Sequence, residues 1–219
     1  GIVSMLKNGN RSPATINTYL YGLKGVAREA WALGQISSDD HQHIQSVKPV
    51  RGSRLSKGRV LSQEDIDALL QTCQADRSEI GVRDYAMMQV LLGIGLRRAE
   101  VVSLDLANLA PGTGKIRLLG KGNKERDAYL PSVGWRALNY WIDQVRGAEH
   151  GPLFCRIRKG GDVQGTRLSA QSVLHILQKR CTEAGIEHVA PHDLRRTYAT
   201  MLIEDGNDLV TVRNSMGHA

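Results

Sequence analysis

Three short stretches hold the residue types that handling a phosphate requires. In "PHDLRRTYAT", Pro191 suits the first position of a helix, so His192 and Arg195 lie three apart on one face of its first turn. A helix start offers free N–H groups and the positive end of the dipole. An imidazole and a guanidinium placed there would make an anion site, because the planar arginine fork donates two parallel hydrogen bonds. In "GIGLRRAEVV", Arg97 follows an apolar segment and a glycine. An arginine in that setting is expected to be partly buried and must be paired. Glu100, one turn later on the same face, can hold it. In "GKGNKER", Lys121 and Lys124 stand at an expected hairpin tip. A mobile loop can carry a lysine into a neighbouring site, where it acts as cation and proton donor, and its pKa falls among other cations. Taken singly, the stretches also fit an exposed His and Arg on an amphipathic helix, a structural Arg–Glu pair and a soluble turn.

The elements that must position these residues can be read from spacing. "SPATINTYLYGLKGVAREAWALG" opens with Ser12 as a cap and Pro13 in the first turn. Ile16, Tyr19, Leu20, Leu23, Val26, Ala27, Ala30 and Trp31 then recur at helical spacing. Gly22 and Gly25 weaken that helix by roughly 1 kcal/mol each and are expected to allow close helix packing. A short helix is expected near "SSDDHQHIQSV". Two such helices bury their apolar faces poorly, so the N-terminal unit is expected to be incomplete. Ser62 caps the next helix, with Asp65 reaching back. Helices are expected near 79–95, through "GLRRAEVVSL", and near 132–146, 169–184, 191–204 and 208–216. "GKIRLLGKGNKERDAYLP" predicts two strands around a turn, and residues 152–168 a loop or short strands. Gly206 should stop one helix. The fold class is therefore mainly α with a small antiparallel β-sheet (α+β). The expected organisation is a partial helical domain at 1–47, a basic linker at 48–60, and a larger domain at 61–219.

Composition narrows the partners. The chain has 219 residues and a net charge of +7. Residues 1–60 hold nine Lys and Arg against three Asp and Glu, while residues 61–219 hold 20 against 19, so almost all the excess lies in the first segment. Lys48, Arg51, Arg54, Lys57 and Arg59 fall together, with no acid before Glu64. Such a run suits a polyanion, or alternatively a solvated linker. No apolar stretch is long enough to span a bilayer. Cys73, Cys155 and Cys181 form no CxxC pair, which argues against a disulfide framework or zinc site and fits a reducing cytoplasm. No carboxylate cluster has the spacing of a Mg²⁺ site, and no P-loop is present. His41, His43, His150, His175 and His188 lie in no motif.

Together, "GLRRAE", "GKGNKER", "HDLRRTYAT" and "MGHA", in that order and spacing, resemble the tyrosine recombinases, the phage-integrase and Xer-like family. The N-terminal helix is similar to that family's core-binding domain. The resemblance implies site-specific DNA cleavage and rejoining through a 3′-phosphotyrosine, with no cofactor. It implies Arg97 and Arg195 as phosphate-clamping arginines and Lys121 as the general acid, with Lys124 a lesser candidate. His192 and His218 would be donors at the phosphate, and Glu100 the support of the first arginine. It further implies double-stranded DNA as partner, contacted in part by the basic linker, a tetramer on DNA in the intact protein, and a cytoplasmic, nucleoid-associated setting. The family's nucleophilic tyrosine follows the "GH" motif, and no tyrosine of these 219 residues stands there. Tyr198 is expected to be a packing residue. The sequence is thus expected to be trimmed at both ends, to bind DNA and to lack autonomous cleavage. A non-catalytic DNA-binding regulator of the same fold and a type IB topoisomerase-like enzyme are the alternatives.

Overall fold

Serine hydroxyls start five of the helices among the described residues. Ser12, Ser37, Ser62, Ser78 and Ser169 each accept a backbone N–H from three residues ahead. The computed structural model describes residues 2–9, 11–51, 58–119, 125–158 and 160–217. Arg54, Lys57, Lys121, Lys124, His218 and the turn of the expected hairpin lie outside the described residues. The chain divides into two units, Gly1–Lys57 and Gly58–Ala219.

The first unit holds α1 (Ile2–Asn8), α2 (Pro13–Ala32) and α3 (Ser38–Ser46). Ile16, Leu20 and Ala27 are the buried residues of α2. The rest of its apolar stripe is not covered, and Tyr19, Leu23, Val26 and Trp31 are exposed. Gly22 and Gly25 do not mediate close packing, because an added Cβ at either would meet open space. The unit is tied by polar links instead. The Asn17 amide donates to Val50 O at 3.1 Å and accepts from Val50 N at 2.8 Å. Trp31 stacks on His41 with ring centres 4.8 Å apart.

The second unit is built around α5 (Glu79–Ile94), whose sequence is apolar on nearly every side because its neighbours enclose it. It packs against α4 (Gln63–Ala75), α7 (Ser132–Trp141) and α9 (Pro191–Glu204). α6 (Arg98–Ser103), α8 (Ala170–Ala184) and α10 (Leu209–Ser215) complete the helices. Strands β1 (Leu109–Ala110), β2 (Lys115–Leu119) and β3 (Glu125–Tyr129) form an antiparallel sheet in that order, and β4 (Cys155–Ile157) pairs with β5 (Val163–Arg167). The class is α+β, as the patterning predicts.

Two expectations need correction. The helix expected over 132–146 changes to a wider π turn at Ile142–Arg146. Side-chain anchors frame that turn: Trp141 Nε1 donates to Leu153 O at 2.9 Å, and Arg146 Nε to Pro152 O at 3.0 Å. They favour an insertion over a regular α register. Asp65 gives its carboxylate to Arg59, at 3.0 Å. Arg59 is therefore no free linker cation, since it also donates to Glu187 O at 3.0 Å.

Candidate active site

A buried charge cluster lies at the α5–α8 junction. Asp84 is 1% exposed and takes Arg83 at 2.7 Å on one oxygen and Arg180 at 2.8 Å on the other. Arg180 also pairs with Asp76 and Glu183, each at 2.8 Å. Burial alone would lower the pKa of Arg180, but the Asp84 and Asp76 carboxylates outweigh it and the net shift is upward. Every guanidinium nitrogen of Arg83 and Arg180 has a partner.

The second charge cluster is open. Gly95 ends α5 in the left-handed conformation, with φ +59°, and turns the chain outward. A Cβ there would lie 2.2 Å from Tyr198 Cδ1, so only glycine lets α9 pack against this turn. Arg97 follows as the cap of α6. Its side chain is 45% exposed, not buried as its apolar surroundings predict, because the left-handed turn carries it out of the core. It is nevertheless paired. Arg97 Nη1 donates to Glu100 Oε1 at 2.7 Å, and Arg97 N to Glu100 Oε2 at 2.9 Å.

Helix α9 supplies the opposite wall. Its far side is fixed by Thr197, whose hydroxyl accepts from Leu61 N at 3.0 Å and donates to Asp193 O at 2.9 Å. That leaves His192 exposed, with Arg195 at 2% exposure beneath it. Arg195 Nη1 donates to Gly95 O at 2.6 Å, and Nη2 donates to Met216 O. Its pKa is pushed down to about 10, first by burial and then by Arg97, with Glu100 opposing and Arg126 adding to the fall. It remains a cation at neutral pH. The start of α9 is less attractive to anions than its sequence predicts, because Asp193 Oδ2 accepts from Ala190 N at 2.8 Å and caps the turn with its own charge.

Arg97, His192 and Arg195 therefore line one cleft of about 310 Å³, together with Arg98, Leu174, Ala190 and Pro191. Glu100 stands among three guanidinia: Arg97, Arg126 at 3.3 Å and Arg195 at 3.8 Å. Arg126 and Arg98 were not anticipated as site residues. The second arginine of "GLRR" and the last residue of "GKGNKER" were the available signals. Lys121 and His218 lie outside the described residues. The residues just before His218 meet the cleft arginines' surroundings: Met216 O accepts from Arg195, and Arg126 Nη1 donates to Ser215 O at 2.9 Å. Tyr198 packs against Gly95 and hydrogen-bonds the Ser215 side chain, and burial raises its hydroxyl pKa. Lys48 and Arg51 are exposed in the first unit. Among the described residues no group of three His, Cys, Asp or Glu could hold a metal, and no helix is long and apolar enough to cross a membrane.

A mainly helical unit thus presents Arg97, Arg195 and His192 to one cleft, with Glu100 paired to the first arginine. Residues 59–219 match the phage integrase family, and the chain belongs to it, among the tyrosine recombinases. It is 30% identical over 220 residues to the tyrosine recombinase XerD of Listeria monocytogenes serovar 1/2a, covering 100% of this chain and 72% of that protein. It is 34% identical over 206 residues to the tyrosine recombinase XerC of Actinobacillus pleuropneumoniae serotype 7, covering 90% and 65%. The fold is similar to the crystal structure of XerA recombinase, with a TM-score of 0.64 at 20% identity over 100% of this chain and 87% of that one. It is also similar to a lambda integrase tetramer bound to a Holliday junction, with a TM-score of 0.71 at 14% identity over 99% and 62%.

Proposed function

We propose that this chain holds the phosphate in a site-specific DNA recombinase, which cuts and rejoins duplex DNA through a 3′-phosphotyrosine. One observation carries the reading: Arg97, His192 and Arg195 come together on one cleft with Glu100 behind them. Attack by a tyrosine hydroxyl on phosphorus builds negative charge on the non-bridging oxygens, and preorganised cations stabilise it. Arg195 spends part of its five N–H groups on the Gly95 and Met216 carbonyls and keeps others for an oxygen. Glu100 fixes the Arg97 fork. His192 donates to the phosphate or helps move the tyrosine's proton, and His218 donates to a non-bridging oxygen. As the bond from phosphorus to the 5′ oxygen breaks, Lys121 protonates that oxygen, with Lys124 a weaker candidate.

Residues 1–47 would act as the core-binding domain, and Lys48, Arg51, Arg54, Lys57 and Arg59 would follow the DNA backbone. Arg59 contributes less, since Asp65 already holds it. Binding would then weaken steeply with salt as counterions are released. The working form is a homotetramer on double-stranded DNA in the cytoplasm, near the nucleoid.

A polypeptide of these 219 residues is proposed to bind DNA without cutting it. Tyr198, the tyrosine nearest the cleft motifs in sequence, is held by packing and by Ser215. The test uses nicked duplex carrying the recombination site and looks for a denaturant-resistant adduct. None is expected from this polypeptide, and one is expected once a helix bearing the family's tyrosine is appended. In that extended form Arg195→Ala should lower cleavage by about 10²–10³ or more while largely sparing DNA binding. An adduct from the 219 residues alone would overturn the nucleophile assignment. Binding without cleavage in the extended form would favour a regulator.

A further inference from the structure

We propose that Arg126 is a positioning residue that locks the turn at Ser215–Gly217 to Glu100, so that the cations of the cleft and the segment leading into His218 are held as one piece. The inference rests on the cleft being the phosphate site. Strand alternation explains why Arg126 can do this. It pairs with Leu118 across β2 and β3, and Leu118 is buried, so Arg126 lies on the inner face of the sheet. Its side chain is only 16% exposed. From there one guanidinium reaches two elements far apart in sequence. Nη2 meets Glu100 Oε2 at 3.3 Å, and Nη1 donates to Ser215 O at 2.9 Å.

Two further observations set Arg126 close behind the cleft residues. Gly217, at φ +63°, lies so close that an added Cβ would stand 2.6 Å from Arg126 Nε. Arg126 also helps lower the pKa of Arg195, so its charge is felt inside the cleft. A bare brace could pair with any carboxylate. Arg126 shares the carboxylate that orients Arg97, and it binds the carbonyl one residue before the Met216 carbonyl held by Arg195. It also lies in β3, as the last residue of the "GKGNKER" motif. A planar fork is needed, because a lysine presents one point charge and cannot span a carbonyl and a carboxylate in the same geometry.

The test measures the 219-residue chain by NMR, with amide hydrogen exchange at Val212–Gly217 and a titration with inorganic phosphate followed at Arg97 and His192. Arg126→Ala is expected to speed exchange in that segment about tenfold or more, the change expected from losing a charge-assisted hydrogen bond. It should also weaken phosphate several-fold. Arg146→Ala is the control, since it loses arginine–carbonyl bonds away from the cleft. Arg126→Lys should leave exchange fast, and it carries this test if the alanine variant does not fold. Two results would overturn the proposal: an effect spread evenly over the unit as in Arg146→Ala, or full recovery by Arg126→Lys, which would make Arg126 a mere charge. If the unaltered chain does not bind phosphate, the reading of the cleft fails, while the exchange data still judge Arg126.

Discussion

The unit that follows Gly58 contains two arginine clusters built from the same residue types and put to opposite uses. At the α5–α8 junction, Arg83 and Arg180 face Asp76, Asp84 and Glu183, so anions outnumber cations and every guanidinium is saturated. At the cleft, the lining residues Arg97 and Arg195 share one carboxylate, Glu100, with Arg126 behind them. Arg83, Asp84 and Arg180 of the first cluster are buried, and the second cluster opens on a space of about 310 Å³. Like charges gathered under partial burial repel, and that repulsion is relieved when an anion arrives. An arginine alone therefore says little about function. The ratio of cations to carboxylates around it, and whether the group is open, separates a structural tie from a binding site.

The largest expected effect lies in the saturated cluster. Asp84→Asn leaves Arg83 and Arg180 buried against a neutral partner. Removing one member of a buried ion pair costs about 3–5 kcal/mol. Urea unfolding of the second unit should show that loss, with phosphate binding in the still-folded fraction unchanged. A loss below about 1 kcal/mol would mean that this cluster is not the tie described, and the comparison would break on its structural side.

The two clusters were unequally legible in the sequence. Cleft residues sit in local patterns: Pro191 before His192, a glycine before Arg97, Glu100 one turn on. Local patterns also give the Ser12 and Ser62 caps and the α8 and α9 helices close to where the structure has them. The saturated cluster joins Arg180 to Asp84 and Asp76, 96 and 104 residues away, and no spacing rule reaches that far. Its one signal was "VRDY", an adjacent Arg and Asp inside an otherwise apolar helix, which buried charges must explain. The exposure of Arg97 was misread for a related reason. Apolar neighbours in sequence imply burial, but the left-handed Gly95 redirects the chain, and that depends on its packing with Tyr198. The bare stripe on α2 has the same lesson, because periodicity marks an apolar face and not what covers it.

A middle-sized effect tests the functional side of the comparison. Arg97→Ala removes an exposed cation that repels Arg195, so stability should change by no more than about 0.5 kcal/mol and can rise. Phosphate should then lose its stabilising effect. Ligand binding stabilises in proportion to RT ln(1 + [L]/Kd), so the melting temperature of the unaltered chain should be higher in phosphate than in chloride at equal ionic strength. The difference should shrink in Arg97→Ala. If Arg97→Ala is as damaging as Asp84→Asn, Arg97 is a structural tie and the two clusters are alike.

The smallest expected effect is a pH dependence at the saturated cluster. The Asp76 carboxyl is held below its ordinary 3.8. Burial opposes the shift, but hydrogen bonds from Ser78 and Arg180 outweigh it. A depressed folded pKa means that the unfolded chain takes up the proton first. The stability Asp76 supplies is therefore full above 3.8 and is lost as the pH falls from there through the lower folded value. Asp76→Asn should flatten this part of the stability–pH curve, read as urea midpoints taken down to about pH 3. Arg97→Ala should leave the curve's shape unchanged. An acid limb that vanished in Arg97→Ala and survived in Asp76→Asn would show that the cleft, and not the saturated cluster, carries the acid-labile ion pair.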